Sequence, residues 1–168
     1  MMLHELQKSL ENTPWVILLI GPPLSGKTTF IRRHFGELDY DLISRDQIVM
    51  DLHGSSDYNS AFKSVNQREA DKILSNNFME SASSKRNVIV DMTNMTRRRR
   101  EQSLSYFNKD YYKIALIFPV LSKDEYIERD KKRSEEEKKT IPMSVVNSMI
   151  SSYQTISKDE GFHKVISI

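Results

Sequence analysis

An α/β fold, with a parallel sheet of about five strands covered by helices on both faces, is predicted by three observations. Short apolar runs rich in β-branched residues alternate with longer amphipathic stretches, the pattern of strands buried on both faces and joined by right-handed helical crossovers. The pattern G-x-x-x-x-G-K-[ST] falls directly after the first apolar run and before the first amphipathic stretch. The length, 168 residues, suits one sizeable core and not two, so residues 1–168 are expected to form a single domain.

In chain order, Leu3, Leu6 and Leu10 form a possible apolar stripe on a short N-terminal helical extension over residues 1–14, suited to capping the core or to a dimer contact. "WVILLI" (15–20) is the first strand and Thr28 to Phe35 the first helix. "YDLI" (40–43) is the second strand, followed by a long helix from Asn59 to Ser81. "NVIVDM" (87–92) leads into a helix from Arg97 to Phe107, and "YKIALIFPV" (112–120) into one from Lys123 to Arg133. A last full helix, Met143 to Ile156, follows Pro142, and "FHKVISI" (162–168) closes the sheet. The charge run "KDEYIERDKKRSEEEKKT" predicts a mobile, solvated lid region over residues 122–141.

Composition narrows the function. There is no cysteine, so disulfides and thiolate metal sites are excluded. The longest apolar run is far shorter than the roughly 20 residues of a membrane span, and the N-terminus has no signal-like pattern, so a soluble, cytoplasmic protein without a membrane partner is expected. A net charge of +2 argues against a generic nucleic-acid coat and leaves anion recognition to local patches.

"GPPLSGKTT" supplies Gly21, Pro22, Pro23, Leu24, Ser25, Gly26, Lys27, Thr28 and Thr29 as a phosphate cradle. Backbone N–H groups there and at the helix start surround a β-phosphate, Lys27 bridges β and γ oxygens, and the Thr28 hydroxyl serves Mg²⁺. Leu24 stands where many such loops carry a further Gly, and a left-handed dihedral there costs on the order of 1 kcal/mol. Asp91 ends an apolar strand at the carboxyl edge of the sheet, as a Mg²⁺ ligand through water or as a turn former. Arg45 and Asp46 end the second strand on the same edge, where Asp46 suits either a proton acceptor or a helix N-cap. Arg129 and Arg133, four apart, share a helical face able to close over an anion, or stand in a solvated, internally paired helix. Of the four consecutive arginines Arg97 to Arg100, only two can face one phosphate track; Arg98 and Arg99 are the candidates, against a solvent-facing or acid-paired role.

These residues in this order resemble the polynucleotide 5′-hydroxyl kinases, notably the kinase domains of the bacteriophage and eukaryotic end-processing enzymes. The likeness runs from Trp15 to the C-terminus: the cradle followed by Thr-Phe, the strand ending in "SRD", the strand ending in "DMTN", the arginine-bearing lid, then "IPMSVVNSMISSYQ" and "EGFHKVISI". It implies a P-loop kinase fold with a short arginine-bearing lid, ATP or another NTP as donor, Mg²⁺, and the 5′-hydroxyl ends of DNA or RNA as acceptor. It implies Asp46 as general base, Lys27 and Thr28 as phosphate and metal ligands, Asp91 as the strand-end carboxylate, and Arg129 and Arg133 as lid arginines. Three residues after the base the bacteriophage enzyme has an arginine where this chain has Val49, so acceptor binding is expected from Arg45, Thr93, Asn94, Arg98 and Arg99. No phosphatase domain is expected, which leaves 3′-end healing to a separate phosphatase or ligase partner. A small-molecule acceptor, such as a nucleoside or the sugar nucleotide of zeta-type toxins, and a nucleotide-gated binding module are the alternatives.

Overall fold

The computed structural model describes residues 8, 10–54, 57–137 and 139–168. Five parallel strands form one sheet: β1 (Trp15–Ile20), β2 (Asp41–Ile43), β3 (Val88–Val90), β4 (Tyr112–Ile117) and β5 (Lys164–Ser167), in the order β2-β3-β1-β4-β5. The helices between them are α1 (Lys27–Phe35), α2 (Arg45–His53), α3 (Tyr58–Ser64), α4 (Gln67–Ser83), α5 (Arg97–Leu104), α6 (Lys123–Glu137) and α7 (Met143–Ser152), and a 3₁₀ turn spans Lys158–Glu160.

β1 lies at the centre, paired with β3 on one side and β4 on the other. All six of its residues are buried, which explains the uninterrupted apolar run. Alternation along the strand divides them between two cores. Trp15, Ile17 and Leu19 pack with Ile31 and Phe35 of α1, while Val16 and Leu18 pack with Phe78 of α4 and with Leu104 and Phe107 at the end of α5. At about 1.5–3 kcal/mol for each fully buried large apolar side chain, this strand anchors both layers. It therefore gives the cradle at its carboxyl end a rigid base. Leu10 joins the first core, whereas Leu3 and Leu6 of the expected stripe lie outside the described residues.

Several boundaries differ from the sequence expectation, among them the end of β4, at Ile117 instead of residue 120. The single helix expected over Asn59–Ser81 is two, because Val65 is extended and the Asn66 side chain accepts from the Arg68 and Glu69 amides, starting a new helix. The helix expected to run to Phe107 stops at Leu104, and the one expected to reach Ile156 stops at Ser152, where Tyr153 is extended. The helix expected over Lys123–Arg133 forms and runs on to Glu137 as α6. Ser122 and Glu125 cap its start reciprocally, with the Ser122 amide donating to the Glu125 carboxylate at 2.9 Å and the Glu125 amide to the Ser122 hydroxyl at 3.3 Å. Tyr126 is its buried anchor. Among the described residues no helix is long and apolar enough to cross a membrane.

Candidate active site

The cradle is the turn between β1 and α1. Gly26 has φ +95°, in the left-handed region that favours glycine. Gly21 is required for a different reason: a Cβ there would lie 2.8 Å from the Ser25 hydroxyl and 2.9 Å from Phe118 Cβ. Leu24 adopts φ +64°, the left-handed conformation that the sequence placed in question, and its carbonyl accepts from Arg129 Nη1 at 2.8 Å. Pro22, Pro23 and Ser25 are buried in the loop, while Thr28 and Thr29 on the first turn of α1 are exposed. The Gly21 amide donates to the Thr93 carbonyl at 3.0 Å, tying the cradle to the loop after β3.

Lys27 is buried and its ammonium is held by the Gly21 carbonyl at 2.9 Å, the Pro22 carbonyl at 2.7 Å and the Ser25 hydroxyl at 3.4 Å. Burial pushes its pKa down to about 8; Asp91 and Asp46 pull upward, while Arg133 and Lys139 push further down. Those five charges therefore share one electrostatic neighbourhood.

Asp91 follows β3, and its carboxylate accepts from the Thr28 hydroxyl at 3.2 Å. Burial raises its pKa, against the opposing pull of Lys27 and the Thr28 hydrogen bond. A hydroxyl and a carboxylate this close are two hard oxygen donors that one Mg²⁺ can share, and they fit the ion. Among the described residues no cluster of three or more carboxylate or imidazole groups occurs.

Asp46 sits in the first turn of α2. The N-cap of that helix is Ser44, whose hydroxyl accepts from the Gln47 amide, so the capping role left open for Asp46 is already filled and its carboxylate is available for other contacts. Tyr58 donates its hydroxyl to Oδ1 at 2.9 Å, and Lys139 forms an ion pair with Oδ2. Burial opposes the charged carboxylate, but Lys139, the Tyr58 hydrogen bond and Arg133 outweigh it and hold the pKa below the usual range. Asp46 is thus ionised at neutral pH.

Two arginines of α6 bear on this region. Arg129 spans from α6 to the cradle carbonyl, and the charge of half-buried Arg133 acts on Lys27, Asp46 and Tyr58.

The expected acceptor residues divide. The Arg45 guanidinium is engaged, donating to Asp71 at 3.0 Å and to Gln67 at 2.7 Å. Asn94 is 2% exposed with φ +48°, and its amide nitrogen donates to the Leu19 and Met92 carbonyls, so its donors brace the loop after β3. Arg98 and Arg99 are exposed on α5, and Thr93 is half-buried beside the cradle. Their flanking arginines do other work. Arg97 pairs with Glu101 and Asp159; Arg100 is fully buried, with its guanidinium on Glu160 at 2.7 Å and on the Asn94, Met95 and Gln154 carbonyls. Acidic partners near the C-terminus thereby offset the cost of basic residues at a helix start.

Sequence reasoning missed Tyr58 and Lys139. Tyr58 opens a helix without any motif, and Lys139 is one lysine of a charge run; only the fold brings either to Asp46.

Comparisons with known proteins agree on the architecture. A chain of the Pnkp1/Rnl/Hen1 RNA repair complex superposes with a TM-score of 0.67 at 21% identity, over 83% of this chain and 44% of that one. This chain thus spans less than half the length of that relative. Kti12 of Chaetomium thermophilum, in complex with ADP-AlF3, matches with a TM-score of 0.60 at 20% identity, over 91% and 88% of the two chains. A gluconokinase from Sinorhizobium meliloti 1021 matches with a TM-score of 0.53 at 13% identity, over 93% and 82%. These likenesses establish the fold, a five-stranded parallel α/β sheet of the P-loop kinase type. Residues 16–156, most of the chain, match the model of an AAA domain family, and the protein belongs to that family.

Proposed function

We propose that the protein is an ATP-dependent phosphotransferase acting on the 5′-hydroxyl end of DNA or RNA. The observation that carries this reading is the carboxylate of Asp46, ionised and half-exposed in the first turn of α2, in the same electrostatic neighbourhood as Lys27 and Arg133. A nucleotide-binding module that does not turn over has no use for a proton acceptor in the electrostatic neighbourhood of its cradle lysine.

In this reading the loop amides and Lys27 bind the donor phosphates. Thr28 and Asp91 would hold Mg²⁺, which when bound neutralises phosphate charge. Asp46 accepts the proton of the acceptor hydroxyl as its oxygen bonds to the γ-phosphorus. The bond from that phosphorus to the β,γ-bridging oxygen breaks, and the electron pair leaves on ADP. Arg129 and Arg133 stabilise charge on the transferring phosphoryl oxygens. Arg98, Arg99 and Thr93 remain the candidates for holding the acceptor strand. A separate phosphatase or ligase partner would complete end repair.

Engagement of Arg45 and burial of Asn94 favour a second reading, in which fewer acceptor ligands serve a smaller acceptor such as a nucleoside or sugar nucleotide. Asp46→Asn tests the shared chemistry. It is expected to leave ATP affinity within about twofold while transfer to the hydroxyl falls by roughly 10²–10⁴, the usual contribution of a general base. Near-normal transfer by this variant would remove Asp46 from the mechanism.

A further inference from the structure

Lys139 reaches Asp46 from the segment after α6, across 93 residues of sequence. Its side chain is 7% exposed, and its ammonium lies 4.0 Å from the centroid of the Tyr58 ring while pairing with Asp46 Oδ2. The same tyrosine donates to Oδ1. Each oxygen of the carboxylate therefore has its own donor, one from α3 and one from the lid segment, and rotation of the group is restrained. A carboxylate has about four lone-pair sites, so two donors leave capacity for an incoming hydroxyl. The Asp46 side chain remains 54% exposed, which keeps that capacity accessible. Withdrawing a lysine ammonium from water is costly unless it is paired, and the neighbouring lysines of this charge run, Lys131 and Lys132, stay exposed.

We propose that Lys139 is a positioning residue for the phosphoryl transfer: with Tyr58 it fixes the orientation of Asp46, so that the lid segment bearing Arg129 and Arg133 also places the base. This rests on the reading of Asp46 as base. Charge from several elements reaches the carboxylate: Lys139 and Arg133 from the lid and Lys27 from α1, with Asp91 after β3, the Tyr58 hydroxyl from α3, and Arg45 beside it on α2 acting on Tyr58. Removing Lys139 deletes the cation in direct contact with it.

The test compares wild type, Lys139→Met, Lys139→Arg and Asp46→Asn in transfer from ATP to a 5′-hydroxyl oligonucleotide from about pH 3 to 9, a range that reaches the acid limb of a carboxylate held below its usual pKa, with ATP binding measured alongside. Lys139→Met is expected to lower kcat by about tenfold or more, since a small misplacement of a reacting group is costly. It should also move the acid limb of the pH profile upward by about one unit, because an adjacent cation lowers a carboxyl pKa by roughly that much or more. ATP affinity should be unchanged, and Lys139→Arg should restore most of the rate and the wild-type limb. An acid limb that stays in place in Lys139→Met overturns the proposal, whatever happens to stability. Should Lys139→Met fail to fold, Tyr58→Phe, which removes the other donor without a change of charge, is expected to shift the limb in the same direction by less; no shift is the overturning result. If Asp46→Asn transfers normally, the reading of the base itself fails. If Asp46→Asn is inactive and Lys139→Met behaves as wild type, the failure belongs to Lys139 alone.

Discussion

Raising the pH above 8 should weaken nucleotide binding, and Lys27 sets the scale. Its ammonium is buried among loop carbonyls, and burial brings its pKa down to about 8. Bound phosphate oxygens would stabilise the charged form and raise that pKa again. Binding above pH 8 therefore requires proton uptake, while the terminal phosphate, with a pKa near 6, is already fully ionised. At pH 9 only about a tenth of the free protein carries the charged lysine, so the apparent affinity should be about tenfold weaker than at pH 7. The sign for folding is the opposite. Because the folded pKa lies below the unfolded one, the unfolded chain binds more protons between about pH 8 and 10.4, and the stability of the nucleotide-free protein gains from this group as pH rises through that window. Titration calorimetry at pH 7, 8 and 9 in buffers of different ionisation enthalpy reads both the affinity and the protons taken up. Lys27→Arg, whose charge does not titrate in this range, should bind with an affinity independent of pH. A wild-type affinity that stays constant from pH 7 to 9, with no proton uptake, would refute the reasoning.

Two further outcomes follow from particular contacts. Arg129→Ala removes the hydrogen bond from α6 to the Leu24 carbonyl together with a charge over the cradle; transfer should fall by at least tenfold with Asp46 and Lys27 intact, as rapid-quench assays at saturating ATP would show. Arg100→Leu leaves the Glu160 carboxylate buried without its partner and should destabilise the fold by about 3–5 kcal/mol in urea unfolding, with little change expected for exposed Arg98→Ala.

What could be read from the sequence follows the range of the interactions involved. The six apolar residues of β1, the glycine pattern after it and the strand-end position of Asp91 are local features, and each lies where its neighbours in sequence imply. The division of Arg97 to Arg100 was half legible: helical geometry separates the four directions, but nothing nearby shows that Asp159 and Glu160 receive Arg97 and Arg100. Local competition for the backbone misled the reading at Asn66, where a side-chain cap breaks an otherwise continuous amphipathic pattern. Ser44, one residue before the Arg-Asp pair, was a better cap than Asp46, and recognising it would have separated the two roles of that aspartate. Tyr58 and Lys139 lay beyond reach, because their meeting at Asp46 depends on how α3 and the segment after α6 come together at this helix start.

The central claim is tested most directly by transfer of labelled γ-phosphate from ATP, with Mg²⁺, to a short 5′-hydroxyl oligonucleotide, beside the same strand already 5′-phosphorylated and beside Lys27→Ala protein. Label on the 5′-hydroxyl strand alone, and only with Lys27 intact, is the predicted result. Absence of transfer to either DNA or RNA while ATP still binds would contradict the polynucleotide acceptor and direct the search to small-molecule hydroxyls.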